Sequence, residues 1–212
     1  MGEGMGHGID QYIQKFISLD HPLLNGMKRD EQFRDDVQPS VAPEVGKLLG
    51  LLIRLIDARH VLELGTCLAY STLWLGTAVK ETGGQVVSVE NDVKLFKEAQ
   101  KNVERAGLAQ HIDVIFGDVA RVVPVLHGPF DMVFQDSRKS LYPQLLDHTI
   151  ALTRVGGLII ADDTLFKVKG APRSLGTATD AYNQQVFADQ RLYSTLLPIG
   201  DGVTISYKLK ES

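Results

Sequence analysis

Residues 60–71, HVLELGTCLAYS, contain the pattern that decides the fold: a short apolar run, a glycine and the start of a helix. Gly65 permits a tight turn after the strand, and the N-terminus of the following helix can meet a polar ligand. A dinucleotide-binding turn would continue as G-x-G-x-x-G, but Cys67 and Ala69 follow here, and there is no Walker lysine. The turn therefore predicts a ligand site without a pyrophosphate cradle.

Apolar runs on both sides of this stretch alternate with helical patterns. Seven short runs predict strands, at 60–65, 85–90, 112–117, 130–136, 157–162, 192–197 and 203–209. Helical spacing separates the first five, at 71–79, 93–106, 119–126 and 142–152. This alternation predicts an α/β fold with a mostly parallel seven-stranded sheet and helices on both faces. Because residues 198–202 are too few for a parallel crossover, the last two strands are predicted to form an antiparallel hairpin.

The N-terminal part of the chain is interpreted as an extension of one domain. Apolar spacing predicts a helix at 9–19 and another at 40–57. With 212 residues, the chain fits a single α/β domain of ordinary size. We therefore expect a helical and loop extension at 1–36 and one domain at 37–212.

Composition excludes several classes of function. The chain has 26 acidic and 22 basic residues and a net charge of −4, whereas a general nucleic-acid binder carries a basic excess. Its one cysteine, Cys67, can form neither an internal disulfide nor a cysteine-rich zinc site. No apolar run is long enough to predict a membrane span, and the first residues lack the apolar core of a signal peptide. We expect a cytoplasmic protein with no nucleic-acid or membrane partner.

The residues that end each predicted strand carry the functional prediction, because ligands of an open α/β sheet bind beyond the carboxyl ends of its strands. Glu90 ends the second run and suits the two hydroxyls of a ribose. Asp118 ends the third and suits an adenine amino group. A ribose and an adenine without phosphate contacts describe S-adenosylmethionine better than NAD. A lone strand-end acid is more often just solvated, but Gly65, Glu90 and Asp118 on successive strands favour a cofactor site.

Three more carboxylates end the fourth and fifth runs: Asp136, Asp162 and Asp163. Carboxylates at the ends of adjacent strands would repel one another unless a cation lies between them. A ligand set of oxygen atoms alone favours a hard divalent ion such as Mg²⁺. The alternative is that Asp162 and Asp163 only cap the next turn. The arrival of Asp136 on the neighbouring strand favours the metal.

Together these segments resemble the cation-dependent class I O-methyltransferases, the family of caffeoyl-CoA and catechol O-methyltransferases and their bacterial relatives. The resemblance covers about residues 37–209 and rests on VLELGTCLAYST, VVSVEND, the GD at 117–118, FDMVFQDSRKSLYP, RVGGLIIADDTLF and LLPIGDGVTISYK. It implies a Rossmann-like S-adenosylmethionine-dependent methyltransferase fold and a homodimer. The implied reaction methylates one hydroxyl of a catechol-like vicinal diol, a phenolic small molecule, with Mg²⁺, Mn²⁺ or Ca²⁺ as the metal cofactor.

The resemblance also assigns roles by position in this sequence. The residues that match cofactor positions are Val41, Glu63, Gly65, Ser71, Glu90, Asp118 and Asp136. Those that match the protein ligands of the metal are Asp136, Asp162 and Asp163.

At the reacting centre, Lys139 falls on the lysine taken as general base, with Asp136 as its catalytic partner. Tyr142 falls on an aromatic position beside that lysine and is expected to contact the acceptor substrate. A lysine has a pKa of about 10.4, so it needs nearby positive charge to act near neutrality, and the metal and Arg138 are the candidates. The segment at 164–179 is expected to be irregular and to place Phe166 in the acceptor pocket, the alternative being a solvated connection.

Three positions depart from the family pattern. Asp163 stands where asparagine is usual, Ala69 where glycine is usual, and Arg138 where many relatives have an acid. Two other functions therefore stay open. One is a non-catalytic S-adenosylmethionine-binding protein of the same fold, in which Asp163 or Arg138 has removed the chemistry. The other is an NAD-dependent dehydrogenase, which the missing second and third glycines disfavour.

Overall fold

A single sheet of seven strands organises the protein, whose computed structural model describes residues 12, 13, 15–19 and 21–211. In chain order the strands are β1 (His60–Leu64), β2 (Gln85–Glu90), β3 (Ile112–Phe116), β4 (Phe130–Gln135), β5 (Thr153–Ala161), β6 (Leu192–Leu197) and β7 (Val203–Lys208). Their order across the sheet is β3-β2-β1-β4-β5-β7-β6.

Helices cover the sheet. In the described part of the chain they are α1 (Leu23–Asp30), α2 (Pro43–Leu55), α3 (Tyr70–Thr82), α4 (Val93–Arg105), α5 (Val119–Val122), α6 (Leu141–Leu152) and α7 (Arg173–Ala188). Short 3₁₀ turns follow α1 at Glu31–Phe33 and α5 at Val123–Val125.

The strand pairing confirms the predicted fold class. β1 pairs in parallel with β2 and β4, and the pairs β2–β3 and β4–β5 are parallel as well. β7 runs antiparallel to β5 and to β6, so the last two strands form the predicted hairpin. The strand order reverses between β1 and β4, and a crevice is therefore expected at the carboxyl ends of these two strands.

The hydrophobic core is divided between the two faces of the sheet, because side chains along a strand alternate between them. On one face, Val61 and Phe134 pack with Leu49 of α2 and Trp74 of α3. On the other face, the intervening strand residues pack against α6 and α7. Both faces of the central strands are thus buried, which explains why their sequences are continuous apolar runs.

The helix α7 differs from the sequence prediction, which expects an irregular segment at 164–179. The helix begins inside that segment at Arg173, directly after Pro172. Its first two turns bury Gly176 and Thr179. Neither is a large apolar residue, so the spacing from which a helix is predicted is missing there. Similarly, β5 begins before the apolar run that predicts it.

The N-terminal predictions are covered only in part. The helix predicted at 9–19 lies largely outside the described residues. α1 packs into the same core as α2 and α3 through Leu24, which is fully buried. The domain boundary between 36 and 37, the homodimer and the cytoplasmic location stay predictions. Across the residues that the structure describes, no helix is long and apolar enough to cross a membrane.

The packing of α2 on α3 depends on a missing side chain. A Cβ added at Gly46 would lie 2.5 Å from Nε1 of Trp74, an indole that is fully buried. We predict that Gly46→Ala lowers the free energy of unfolding by about 1–3 kcal/mol, because the indole must shift within a packed core. Urea unfolding monitored by circular dichroism measures this loss.

Gly26 offers a matched control for that substitution. It lies inside α1, and a Cβ added there meets nothing within 4 Å. Gly26→Ala should therefore stabilise the protein by about 0.5–1 kcal/mol, since alanine favours the helix more than glycine does. Equal effects of the two substitutions would contradict the packing argument.

Candidate active site

A cavity of about 950 Å³ opens at the carboxyl ends of β1, β2, β4 and β5. The five acids predicted to share one cleft all line it: Glu90, Asp118, Asp136, Asp162 and Asp163. The other predicted site residues in its wall are Val41, Gly65, Ser71, Lys139 and Phe166. Glu63 and Tyr142 are fully buried and lie outside the lining. The structure thus gathers most of the predicted site around one space.

The turn after β1 touches the end of β4. Gly65 has a φ of +103°, and a Cβ there would collide with the carbonyl oxygen of Asp136. The Asp136 N–H donates to the Leu64 carbonyl at 2.9 Å, and the Gly65 N–H donates to the Val89 carbonyl at 3.1 Å. Only glycine combines this φ with this close approach. It places the predicted cofactor turn directly beside the first acid of the reacting centre.

The rest of that turn is also left-handed. Cys67 has a φ of 49° and Ala69 a φ of 71°. A left-handed conformation costs alanine about 1–2 kcal/mol, a cost that glycine would not have at this position. The turn leads into the first helical turn of α3, where Ser71 lines the cavity.

Glu90 is fixed by backbone donors. Its Oε2 accepts a hydrogen bond from the N–H of Cys67 at 2.7 Å. Its Oε1 accepts from the N–H groups of Asn91 and Asp92 at 2.9 and 2.8 Å. The carboxylate is therefore held rigidly at the cavity wall, and Oε2 keeps a lone pair for a ligand hydroxyl.

Asp118 has two partners at the same end of the cavity. Its Oδ1 accepts from the N–H of Ala120 at 2.9 Å and so caps α5. Its Oδ2 lies 3.8 Å from a guanidinium nitrogen of Arg138, whose side chain is 60% exposed. The sequence interpretation assigns Arg138 to the charge balance of Lys139. The structure pairs it with Asp118 instead.

Glu63 lies beneath the cofactor turn rather than in the cavity wall. Its Oε2 accepts hydrogen bonds from the hydroxyls of Thr72 and Ser88 at 2.5 and 2.6 Å. The Ser88 hydroxyl is in turn 2.6 Å from that of Thr66, within the turn. Oε1 is buried without a hydrogen-bond partner. Burial raises the pKa of Glu63 to about 7, against the opposing effect of its hydroxyl partners.

Lys139 is the centre of a charged cluster. Its Nζ donates to Oδ1 of Asp136 at 2.8 Å and lies 2.7 Å from Oδ2 of Asp163. It also donates to the Tyr142 hydroxyl at 3.0 Å, which donates to the Gln135 carbonyl at 2.7 Å. Burial lowers the pKa of Lys139, but the surrounding negative groups outweigh burial and hold the pKa well above its usual value.

The position of Tyr142 differs from the predicted acceptor contact. The side chain is fully buried because its hydroxyl bridges Lys139 and the backbone of β4. Its ring also packs edge-on against Tyr182 of α7, with centroids 5.4 Å apart. The residue therefore supports the lysine from below and has no surface to offer to an acceptor.

The carboxylates around Lys139 carry more negative charge than one ammonium balances. Oδ1 of Asp162 is buried without a hydrogen-bond partner. Burial, followed by the charges of Asp136 and Asp163, raises the pKa of Asp162 well above its usual value. Burial also raises the pKa of Asp136. An unpaired buried oxygen in an all-oxygen donor set fits the ligand preference of a hard divalent cation.

The cluster is arranged around the lysine rather than around an ion. Among the described residues, no group of three or more His, Cys, Asp or Glu side chains could hold a metal ion as it stands. The Lys139 ammonium engages both Asp136 and Asp163. The carboxylate oxygens suit a divalent cation, provided that the Lys139 ammonium gives up its contacts with Asp136 and Asp163.

The wall of the cavity also includes residues that sequence reasoning missed. Phe166 lines the cavity, and its ring centroid is 5.9 Å from Nζ of Lys139, while its predicted contact with the acceptor stays a prediction. Leu175 lies in the same wall but belongs to the unpredicted helix α7. Asp201, between β6 and β7, was also missed because that link is read only as a hairpin.

Similarity to known proteins agrees with this geometry. The family model described as O-methyltransferase matches residues 14–209. The chain belongs to this O-methyltransferase family. Methyl transfer from S-adenosylmethionine to an oxygen atom is therefore its class of reaction, as the family resemblance of the sequence implies. The dehydrogenase alternative is excluded.

Individual relatives of this O-methyltransferase cover most of its length. It is 33% identical over 169 residues to the catechol O-methyltransferase of Niastella koreensis, covering 78% of this chain and 76% of that protein. It is 30% identical over 187 residues to caffeoyl-CoA O-methyltransferase 1 of Zea mays, covering 81% and 72%. It superposes on the Bacillus cereus O-methyltransferase in complex with SAH with a TM-score of 0.83 and 26% identity, covering 96% and 97%.

The buried acid of this O-methyltransferase gives a prediction about pH. The pKa of Glu63 is about 7 in the folded protein against an ordinary value of 4.5, so folding favours its protonated form. That contribution is complete below pH 4.5 and is lost as the pH rises through about 7. Glu63→Gln mimics the protonated acid. We predict that the stability of Glu63→Gln relative to wild type increases by roughly 1–3 kcal/mol when the pH is raised from 5 to 8.

Urea unfolding of both proteins at pH 5 and pH 8 measures this change. Groups that titrate identically in the two proteins cancel in the comparison. Glu81→Gln is the control, because Glu81 lies at the surface in an ion pair with Arg54. A difference between Glu63→Gln and wild type that does not change with pH would contradict the prediction.

Proposed function

We propose that the protein methylates one hydroxyl of a catechol-like small molecule, with a divalent cation bound by Asp136, Asp162 and Asp163. The observation that carries the proposal is the position of Lys139. Its ammonium lies between Asp136 and Asp163, in the same cavity wall as the cofactor turn. The proposed proton acceptor, the proposed metal ligands and the proposed methyl-donor site would then share one cavity.

The cofactor would occupy the side of the cavity near β1, β2 and β3. Glu90 would accept from the ribose hydroxyls, and Asp118 would contact the adenine. Ser71 would bind the methionine carboxylate at the N-terminus of α3, where the helix dipole favours negative charge. Val41 would close over the ligand. The Bacillus cereus relative in complex with SAH supports this placement through its overall likeness.

The charge of the cavity favours a neutral acceptor over a CoA ester. Acidic side chains outnumber basic ones among the described lining residues, where the basic ones are Lys28, Arg138 and Lys139. The lysines of the neighbouring segment are already engaged: Lys167 pairs with Asp180 at 2.6 Å, and Lys169 with Asp201 at 3.3 Å.

A CoA ester carries several negative charges, which this surface would repel. The relatives include both a catechol and a caffeoyl-CoA O-methyltransferase, so the similarity alone does not choose between these acceptors. The charge of the lining is what favours the smaller, neutral diol.

The residues of this chain supply alignment and proton transfer. The methyl group of a sulfonium is already activated, so catalysis depends chiefly on holding oxygen, carbon and sulfur in line. A divalent cation at the three carboxylates would supply positive charge that lowers the pKa of the acceptor hydroxyl and of the Lys139 ammonium. The unprotonated Lys139 would then accept the hydroxyl proton. Tyr142 holds Nζ of Lys139 in place from below, and Phe166 and Leu175 keep water from the acceptor.

Removal of the metal tests this function. With S-adenosylmethionine and catechol, we expect the protein to release S-adenosylhomocysteine and methylated catechol. EDTA should reduce the rate by at least about a hundredfold, and excess Mg²⁺ should restore it, because charge stabilisation by the ion is worth several kcal/mol. Product formation is measured by liquid chromatography.

The acceptor panel has three members: catechol, phenol and caffeoyl-CoA. Turnover should fall from catechol to caffeoyl-CoA and be absent with phenol, which lacks the second oxygen. An undiminished rate in EDTA would contradict the metal, and a preference for caffeoyl-CoA would contradict the acceptor class. Cofactor binding without methyl transfer to any diol would favour the non-catalytic alternative.

Loss of the lysine amine tests the proposed base. Lys139→Met keeps much of the side-chain volume but cannot accept a proton, and kcat should fall by about 10²–10⁴. Binding of S-adenosylmethionine, measured by calorimetry, should change little. Lys167→Met is the matched control, because that lysine pairs with Asp180 outside the cavity lining. A kcat for Lys139→Met within a few-fold of wild type would exclude the proposed role.

A further inference from the structure

Lys28 and Glu31, two charged residues that precede α2, hold Ser40 in the cavity wall through three hydrogen bonds. Ser40 belongs to residues 34–42, a segment with neither helix nor strand that we call the strap. Oε2 of Glu31 accepts hydrogen bonds from the N–H and the hydroxyl of Ser40, at 3.2 and 2.5 Å. Nζ of Lys28 donates to the Ser40 carbonyl at 2.8 Å. Side chains therefore satisfy both backbone groups of Ser40.

Lys28 and Glu31 also pair with each other, since Nζ of Lys28 lies 2.7 Å from Oε1 of Glu31. The Glu31 side chain is only 8% exposed, and that of Lys28 is 31% exposed. Hydrogen bonds to charged groups are roughly twice as strong as neutral ones, and less solvent screens them when they are buried. The pair is thus a firm attachment for the strap.

The same lysine reaches the cofactor turn. Its Nζ lies 5.5 Å from the ring centroid of Tyr70, in the first turn of α3. Tyr70 directly precedes Ser71, and Lys28 and Ser71 both line the cavity. Lys28 therefore links α1, the strap and the helix N-terminus that faces the proposed methionine end of the cofactor.

We infer that Lys28 and Glu31 are positioning residues for the cofactor. They fix the peptide of Ser40 and so hold the next residue, Val41, in the wall of the cavity, where its side chain is 5% exposed. The inference rests on the proposed function, in which Val41 closes over S-adenosylmethionine. Neither residue takes part in methyl transfer. Their effect is on cofactor affinity, through the strap.

The fold does not depend on this pair for the attachment of α1. Leu24 of α1 is fully buried in the core that α2 and α3 share. The far end of the strap has its own attachment, because Arg34 bonds to Glu98 of α4 at 2.6 Å. Loss of the Glu31 carboxylate should therefore free the N–H and the hydroxyl of Ser40, which then keeps only the bond from Lys28, while α1 and Arg34 stay in place.

The test compares Glu31→Ala, Glu31→Gln and Lys28→Met with wild type, and S-adenosylhomocysteine and S-adenosylmethionine are the probes in calorimetry. Glu31→Ala and Lys28→Met should raise both Kd values about tenfold, as expected for the loss of charge-assisted hydrogen bonds. Glu31→Gln keeps an acceptor for Ser40 and should recover part of the affinity. Glu81→Gln, which alters a surface pair between α3 and α2, is the control and should bind as wild type does.

Kinetics with catechol separate positioning from a general structural defect. KM for S-adenosylmethionine should rise in parallel with Kd in both Glu31→Ala and Lys28→Met. In Glu31→Ala, whose substituted residue lies outside the cavity lining, kcat at saturating cofactor and KM for catechol should stay within about twofold of wild type. If the wild-type protein binds both probes and the Kd values of Glu31→Ala and Lys28→Met equal those of wild type, this inference alone is overturned. A fall in kcat without a change in Kd would overturn it too. A wild-type protein that binds neither probe would overturn the proposed function and this inference with it.

Discussion

The contact between the Gly65 turn and the backbone of Asp136 is the constraint on which the site depends. It exists because β1 and β4 are adjacent parallel strands at the point where the strand order reverses, and because residue 65 has no Cβ. Through it, the turn that begins α3 and the loop that carries Lys139 share one wall. A larger residue at position 65 would push the turn after β1 away from the backbone at the end of β4.

Charge is the second organising feature of the cavity. The five strand-end acids lie together, whereas the net charge of the whole chain is only −4. The described lining of the cavity is therefore more acidic than the chain as a whole, which has 26 acidic and 22 basic residues. Within the lining, Glu90 and Asp118 are satisfied by backbone donors, but Asp162 keeps an unpaired buried oxygen. Around Lys139, the cavity therefore has a buried carboxylate oxygen that is without a hydrogen-bond partner.

The sheet could be predicted from the sequence because each buried strand is a short apolar run between turn signals. Strand-end residues then followed from topology alone. How deeply each side chain is buried could not be predicted. The sequence places Glu63 and Tyr142 near the site but does not show that both lie beneath the wall of the cavity. Nor does it reveal Lys28 and Glu31, because their bonds to Ser40 join a polar stretch that has no periodicity to interpret. Contacts of this kind depend on how the chain folds back over the cavity.

The departure at Asp163 is explained by the same local geometry. Its φ of 63° lies in the left-handed region, which asparagine and aspartate tolerate better than most residues. Exchange of one for the other therefore keeps the backbone and changes only the charge. The added carboxylate is compensated on the spot, because Nζ of Lys139 lies 2.7 Å from it. The substitution thus preserves the shape of the reacting centre while it ties the lysine more tightly. A divalent cation held by the three carboxylates, as proposed, would compete with the lysine for that carboxylate.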